Sequence, residues 1–265
     1  MTWTSFIEAA PAAEHAVQIY DRPDELAASV GRFLDAGFRV GEPAIVIATD
    51  DHRRMFAREL AARGWNAAPL QDEGLLVWCD AEETLAAFFD GTRPSRVDFE
   101  REVGGLVDEI ATRYPGKTIR AFGEMVDLLW QRGHAQAALA LEELWNDLAQ
   151  SRRFALLCGY RLDIFDVDVQ ASALPEIIHA HSHGRPAFDT SLLAAAVDAA
   201  LAEVVGSREA GTIYLQVADE VPRNSLPRSE SVLLWLTQHR RPVARQVLDR
   251  VRLLYGQTEI APTAK

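Results

Sequence analysis

The sequence predicts an α/β protein: a mainly parallel sheet with helices on both faces, followed by a mostly helical C-terminal segment. Three observations carry that expectation. Short apolar runs rich in β-branched residues alternate with helix-period patterns of about ten to fifteen residues, which is how βαβ units read. Hydrophobic residues make up 48% of the 265 positions, ample for a sizeable core. From Asp189 onward the alternation gives way to helical patterns, and residues 219–265 hold eight Lys and Arg against five Asp and Glu while the whole chain carries a net charge of −12.

The elements follow in order. Ala16–Tyr20 (AVQIY) reads as a first strand, and Asp21-Arg-Pro-Asp-Glu as a turn and helix start. Leu26, Val30, Phe33 and Leu34 recur at helical spacing up to Gly37, a plausible helix stop. Ala44–Ala48 (AIVIA) is a buried-strand pattern, and Met55 and Leu60 belong to a helix ending at Gly64. Leu75–Cys79, Thr118–Phe122 and Phe154–Tyr160 read as further strands, with helices over Ala81–Phe89, Phe99–Tyr114 and Ala135–Gln150 between them. In the last helix Leu141, Leu144, Trp145 and Leu148 share one stripe. The tail predicts a helix over Leu192–Val205, a short β-like run at Thr212–Val217, a break at Val221–Ser229, and helices around Ser231–His239 and Pro242–Tyr255.

Several function classes are excluded early. The acidic balance speaks against a nucleic-acid or anionic-membrane surface over the whole protein. No apolar run approaches the roughly 18 residues of a membrane span. The N-terminus lacks the basic and apolar regions of a signal peptide, so a soluble cytoplasmic protein is expected. Cys79 and Cys158 each lie in an apolar run, which predicts buried free thiols. A phosphate loop needs a strand, then glycines and a lysine, then a helix. The turn after the first strand is Asp21-Arg22-Pro23-Asp24-Glu25, whose carboxylates would repel a triphosphate. Gly116-Lys117-Thr118 lies after a helix and before a strand, the reverse of the required order.

Candidate site residues come from the strand ends. In Thr118–Trp130 (TIRAFGEMVDLLW) a strand-like run stops at Gly123, and Glu124 stands where open α/β sheets bind ligands. Glu124 reads either as a ligand-binding carboxylate or as a helix N-terminal carboxylate satisfying free N–H groups. His15 and Tyr20 flank the first strand, and Tyr20 offers a ring and a hydroxyl. Tyr160 ends its strand and reads as a ligand-edge residue by the same reasoning as Glu124. Trp130 and Trp145 supply aromatic surface for either core or pocket. Glu142 sits at the edge of its helix stripe and Glu143 opposite it. Cys158 lacks a second cysteine or an activating cation for redox work. In Ile178-His-Ala-His-Ser-His183, the residues His179, His181 and His183 would converge on a metal only in a strand. No cofactor is expected and no metal, those histidines being the candidates if one binds. Arg240, Arg241, Arg245, Arg250 and Arg252 cluster near the last helix, either as a helix-turn-helix reader or beside an amphipathic face of Val243, Val247, Val251 and Leu254.

Several blocks together resemble a known family. They are His15-Ala-Val-Gln-Ile-Tyr20, Phe33-Leu34-Asp-Ala-Gly37 with Gly41-Glu42 and Ile45-Val-Ile-Ala-Thr49, Arg120-Ala-Phe-Gly-Glu124-Met-Val, Leu128-Leu-Trp130, Ala138-Leu139, Leu141-Glu-Glu-Leu-Trp-Asn146 and Phe154-Ala-Leu-Leu-Cys-Gly-Tyr160. This set resembles the MEDS domain, the sensory domain of methanogen and methylotroph regulators, over roughly residues 14–185. The resemblance implies a KaiC/RecA-like core without its phosphate loop, and a helical C-terminal module over 190–265 for output, packing or oligomerisation. It also implies a non-enzymatic sensor of small organic molecules, hydrocarbon derivatives among them, in signal transduction or transcriptional regulation. His181-Ser182 matches a single His-Ser pair of the family pattern, which leaves His179 and His183 incidental. His15, Tyr20, Glu124, Trp145 and Tyr160 are then the expected ligand-binding residues. The expected partners are a small organic ligand and a signalling protein, with a homodimer as a further form, and neither nucleic acid nor membrane. The alternatives are a DNA-binding regulator acting through the basic tail, or a degenerate ATPase or metal-dependent enzyme.

Overall fold

A computed structural model describes residues 3–181, 183–185, 190–220 and 228–259. They fall into two compact units, one of residues 1–161 and 177–187, the other of residues 162–176 and 188–265.

The first unit carries a parallel sheet in the order β3-β2-β4-β5-β1-β6. Its strands are β1 (His15–Tyr20), β2 (Ala44–Ala48), β3 (Leu76–Asp80), β4 (Ile119–Gly123), β5 (Phe154–Arg161) and the short β6 (His183–Arg185). All five neighbouring pairs run parallel. β1, β2 and β4 are buried at every residue and apolar apart from His15, Gln18 and Arg120, as a sheet covered on both faces requires.

Period-two alternation sorts the side chains. Ala16 and Tyr20 of β1, Val46 of β2, Phe122 of β4 and Leu157 of β5 face a core shared with Phe6 of α1 (Trp3–Ala9). The same core takes Leu26, Val30, Phe33 and Leu34 of α2 (Pro23–Arg39) and Phe56 and Leu60 of α3 (Asp50–Ala62). α4 (Ala67–Asp72) adds Leu70. Pro23 in the first turn presets the α2 backbone. Arg120 holds this region to the amino end of β4. Its guanidinium donates to Ile7 O at 2.7 Å, Phe33 O at 2.8 Å, Glu8 O at 2.9 Å and Glu42 Oε2 at 2.8 Å. Gly37 makes room for it: a Cβ there would collide with the Arg120 side chain.

The opposite face packs α9 (Ala135–Ser151), whose Trp145 meets Phe99 edge-on at 5.2 Å and Phe154 at 5.9 Å. α5 (Ala81–Ala86) is capped by Asp80 and ends before Phe89, earlier than the sequence suggests. The helix expected over Phe99–Tyr114 begins at Arg96 as α6 (Arg96–Phe99), widens by one residue per turn over Glu100–Gly104 and continues as α7 (Gly105–Arg113). α8 (Met125–Gln131) follows β4 directly, and α10 (Leu174–His179) precedes β6.

In the second unit, α11 (Thr190–Val205), α12 (Ser207–Glu220), α13 (Arg228–His239) and α14 (Arg241–Glu259) enclose a core that includes Leu193, Val197, Leu201, Ile213, Trp235, Val247 and Val251. The β-like run expected at Thr212–Val217 lies inside α12. Ile213 and Val217 are four apart and buried, whereas Leu215 between them is 70% exposed, so the apparent alternation is a helix stripe plus one exposed leucine. The break expected at Val221–Ser229 falls mostly outside the described residues. Arg240 pairs with Glu209, Arg241 with Asp168, Arg250 with Glu203 and Arg252 with Asp163.

Candidate functional site

Two clusters of polar side chains stand in the sheet-bearing unit. The first lies at the carboxyl ends of β2 and β4. The chain leaves β2 toward β3 on one side and β4 toward β5 on the other, so the gap between them is the switch point where open α/β sheets take ligands. Glu124, 2% exposed, immediately follows β4 there. It occupies the position ahead of α8 but makes no cap to that helix. Its carboxylate instead reaches across the gap, accepting from the Thr49 N–H that precedes α3 and from His52 Nδ1 in the first turn of α3. The carboxylate thus serves a helix N-terminus, that of the helix following the neighbouring strand.

His52 stacks on Phe56 at 5.8 Å and meets Tyr20, at the end of β1, edge-on at 5.9 Å. Burial works to lower the His52 pKa, but the bond to Glu124 and the charges of Glu124 and Asp127 raise it above the ordinary histidine value. Asp127, three residues after Glu124, accepts from the Arg161 N–H at 3.0 Å and from Gln131 Nε2 at 3.1 Å, tying α8 to the end of β5. Burial raises its pKa to about 6, with the Glu124 charge adding to the shift. Burial, then Asp127 and Glu124, push the Tyr20 phenol well above its usual range. His52 and Asp127 were not singled out from sequence. The available signal was spacing: His52 lies one turn after the β2 end, and Asp127 one turn after Glu124.

The second cluster lies beneath the sheet, on the face covered by α9. His15, Cys158 and Tyr160 share that face, since Cys158 and Tyr160 are two apart on β5 and Val17, two after His15, pairs with Cys158. Glu142 and Asn146, four apart on α9, form one stripe above them. Tyr160 Oη donates to Glu142 Oε1 at 2.7 Å. His15 Nε2 lies 3.2 Å from Cys158 Sγ and 3.3 Å from Glu142 Oε2. His181, just after α10, completes the group with its Nε2 3.4 Å from Glu142 Oε1. Burial, with His181 adjacent, lowers the His15 pKa to about 4. Burial and Glu142 push the Cys158 thiol well up. Burial works to raise the Glu142 carboxyl, but His181, His15 and Tyr160 together hold it below the ordinary glutamate value.

The five residues expected to bind ligand therefore separate. Tyr20 and Glu124 stand at the strand-end cluster, and His15 and Tyr160 in the cluster beneath the sheet, because β5 runs on to Arg161 and turns Tyr160 toward α9. Trp145 is 1% exposed and packed among Phe99, Phe154 and Gly123. Glu142, expected at a helix edge, is fully buried, and Glu143 is exposed. Of the histidine run, His181 enters the cluster and His179 is exposed at the end of α10; Ser182 and the His183 side chain lie outside the described residues. Among the described residues, the metal-compatible grouping is His15, Glu142, Cys158 and His181, with one ligand atom of each within 4.8 Å of the others. Cys79 and Cys158 are both free thiols.

No described helix is long and apolar enough to cross a membrane. A search of the curated proteins finds no relative of this chain. The family model described as MEDS, MEthanogen/methylotroph, DcmR Sensory domain, matches residues 14–179. That span holds the whole strand-end cluster and, in the second cluster, His15, Glu142, Cys158 and Tyr160. The chain belongs to the MEDS family of sensory domains.

Proposed function

We propose that this chain is a non-enzymatic cytoplasmic sensor of a small organic molecule, recognised where β1, β2 and β4 end. The observation that carries the reading is the group of buried Glu124, Asp127 and Tyr20 with half-buried His52 at the sheet's switch point. Two carboxylates, an imidazole and a phenol gathered at one strand-end gap offer donors and acceptors beside aromatic surface, which suits a short polar hydrocarbon derivative such as an alcohol or aldehyde. They offer no cradle for phosphate. The turn after β1 directs Arg22 onto Asp24 at 3.0 Å and Glu25 at 3.5 Å, and α2 starts at Pro23 without a glycine-rich loop. The helical unit and a protein partner carry the output, with a homodimer as the form in which it acts. Pairing of Arg240, Arg241, Arg250 and Arg252 with carboxylates favours this over a DNA-reading tail.

Titration calorimetry with one- and two-carbon alcohols, aldehydes and haloalkanes tests the reading, with native mass spectrometry to reveal a retained ligand. At least one of these classes is expected to bind, and Glu124→Gln and Tyr20→Phe each to weaken it about tenfold or more, as loss of one buried hydrogen bond of ~1.4 kcal/mol implies. A ligand whose affinity is unchanged in both variants would place the pocket elsewhere.

A further inference from the structure

The cluster beneath the sheet uses none of the strand-end residues, and its hydrogen bonds fix the chemistry of its two histidines. Asn146 Nδ2 donates to Ala180 O at 3.0 Å, so its Oδ1 faces His15 Nδ1, 2.9 Å away, and that nitrogen must carry a proton. His181 Nδ1 lies 2.6 Å from Ile177 O, a pure acceptor, so it too must donate. In each neutral ring the Nε2 is therefore a lone pair, and both point inward. His181 Nε2 is fully buried and, although 3.4 Å from Glu142 Oε1, makes no hydrogen bond. Its lone pair faces a carboxylate, which is repulsive unless something positive lies between them.

One added proton on His181 Nε2 would relieve it, and so would a metal ion shared with the other inward-facing atoms. The Tyr160 hydroxyl is committed to Glu142 Oε1, and the Cys158 thiol lies against His15 Nε2 and Glu142 Oε2. We propose that His15 Nε2, His181 Nε2, Cys158 Sγ and a Glu142 carboxylate oxygen form a binding site for one divalent cation of the zinc class. A tetrahedral zinc ion with N, O and S ligands at about 2.0–2.3 Å sets its donors roughly 3.3–3.8 Å apart. The observed separations are 3.2 Å (His15 to Cys158), 3.3 Å (His15 to Glu142 Oε2) and 3.8 Å (Cys158 to Glu142 Oε2), with His181 Nε2 3.4 Å from the other carboxylate oxygen, Oε1, and one ligand atom of each residue within 4.8 Å of the others. Two imidazoles, a thiolate and a carboxylate select zinc, or cobalt in its place, over magnesium or calcium. Asn146, the Ile177 carbonyl and Tyr160 form the outer layer that holds the ligands in the required tautomer and orientation. Binding displaces the Cys158 proton to solvent, so affinity falls as the pH is lowered.

The test uses the full chain, freed of metal by chelation and reloaded. Zinc is expected at about one ion per chain by elemental mass spectrometry. Cobalt is expected to give the visible bands of a four-coordinate site and a near-ultraviolet thiolate-to-cobalt band. Cys158→Ser should abolish that band and His181→Ala should lose stoichiometric metal, whereas Cys79→Ser should keep both. Asn146→Ala should weaken zinc by about 10–100-fold through loss of the His15 orientation. Should the cluster variants fail to fold, the wild-type cobalt spectrum decides by itself. A wild-type chain that takes up no zinc at micromolar concentration, or binds cobalt without a thiolate band, overturns the assignment, as does a band that survives Cys158→Ser or disappears in Cys79→Ser.

Discussion

Asp127→Asn tests whether the strand-end cluster is held at a cost to stability. Asp127 is 7% exposed, and its pKa in the folded chain is raised to about 6 against a reference of 3.8. The folded state therefore keeps this proton up to about pH 6, while the unfolded chain releases it near 3.8. Stability from this group is fully present below pH 3.8 and is lost as the pH rises through 6. At ~1.36 kcal/mol per unit the charged carboxylate costs about 3 kcal/mol at neutral pH. Asparagine keeps the oxygen that accepts from Arg161 N and Gln131 and never ionises. The variant should thus be about 2–3 kcal/mol more stable than wild type at pH 7, with the gain shrinking to nothing near pH 3.5. Urea unfolding followed by tryptophan fluorescence reads the right unit, since Trp3, Trp65, Trp78, Trp130 and Trp145 all lie in it. A variant less stable than wild type at pH 7, or a difference independent of pH, would refute the reasoning. Ligand affinity should fall as stability rises, the usual trade at a binding site.

Three further outcomes follow from the same geometry. Glu124→Gln removes the carboxylate that holds the His52 pKa above its ordinary value, so NMR titration should show that pKa falling; an unmoved titration would mean that Glu124 does not govern His52. Arg120→Met strands the carbonyls of Ile7, Glu8 and Phe33 and the Glu42 carboxylate, and should cost about 3–5 kcal/mol in denaturant unfolding. Tyr160→Phe leaves Glu142 Oε1 without its hydroxyl donor and should cost about 1–3 kcal/mol in the metal-free chain, a loss that zinc loading should reduce.

The strands and most helices were legible in sequence because a parallel sheet buries both faces, and runs such as AIVIA and FALLCGY can be little else. Tyr20 and Glu124 were legible as strand-end residues for the same reason. Their partners were harder to read. His52 and Asp127 lie in first helical turns, where a polar residue is ordinary, and only the β2–β4 adjacency brings them to one gap. The cluster beneath the sheet was less visible still. His15, Glu142, Cys158 and His181 come from three elements and the segment after α10, and the histidine run at 179–183 points to neighbours in sequence when the partners of His181 are neighbours in space. The helical run at Thr212–Val217 reads as a strand from sequence because the exposed Leu215 falls midway between the buried Ile213 and Val217 and completes a two-residue period.

The late return of the chain into the sheet has a practical consequence for anyone who would excise the sensor. The family match stops at residue 179, two residues short of His181 and four short of β6. A fragment cut at that point would retain three of the four inward-facing donors and would bare the flank of β1, a row of backbone groups that recruits strands from other chains. The helical unit is equally indivisible at its other end. Its core includes Val167, and Asp163 pairs with Arg252, so a piece starting after residue 187 would leave a hole and a broken ion pair. The two units are threaded through one another along the sequence, and the smallest faithful specimen of either is the whole chain.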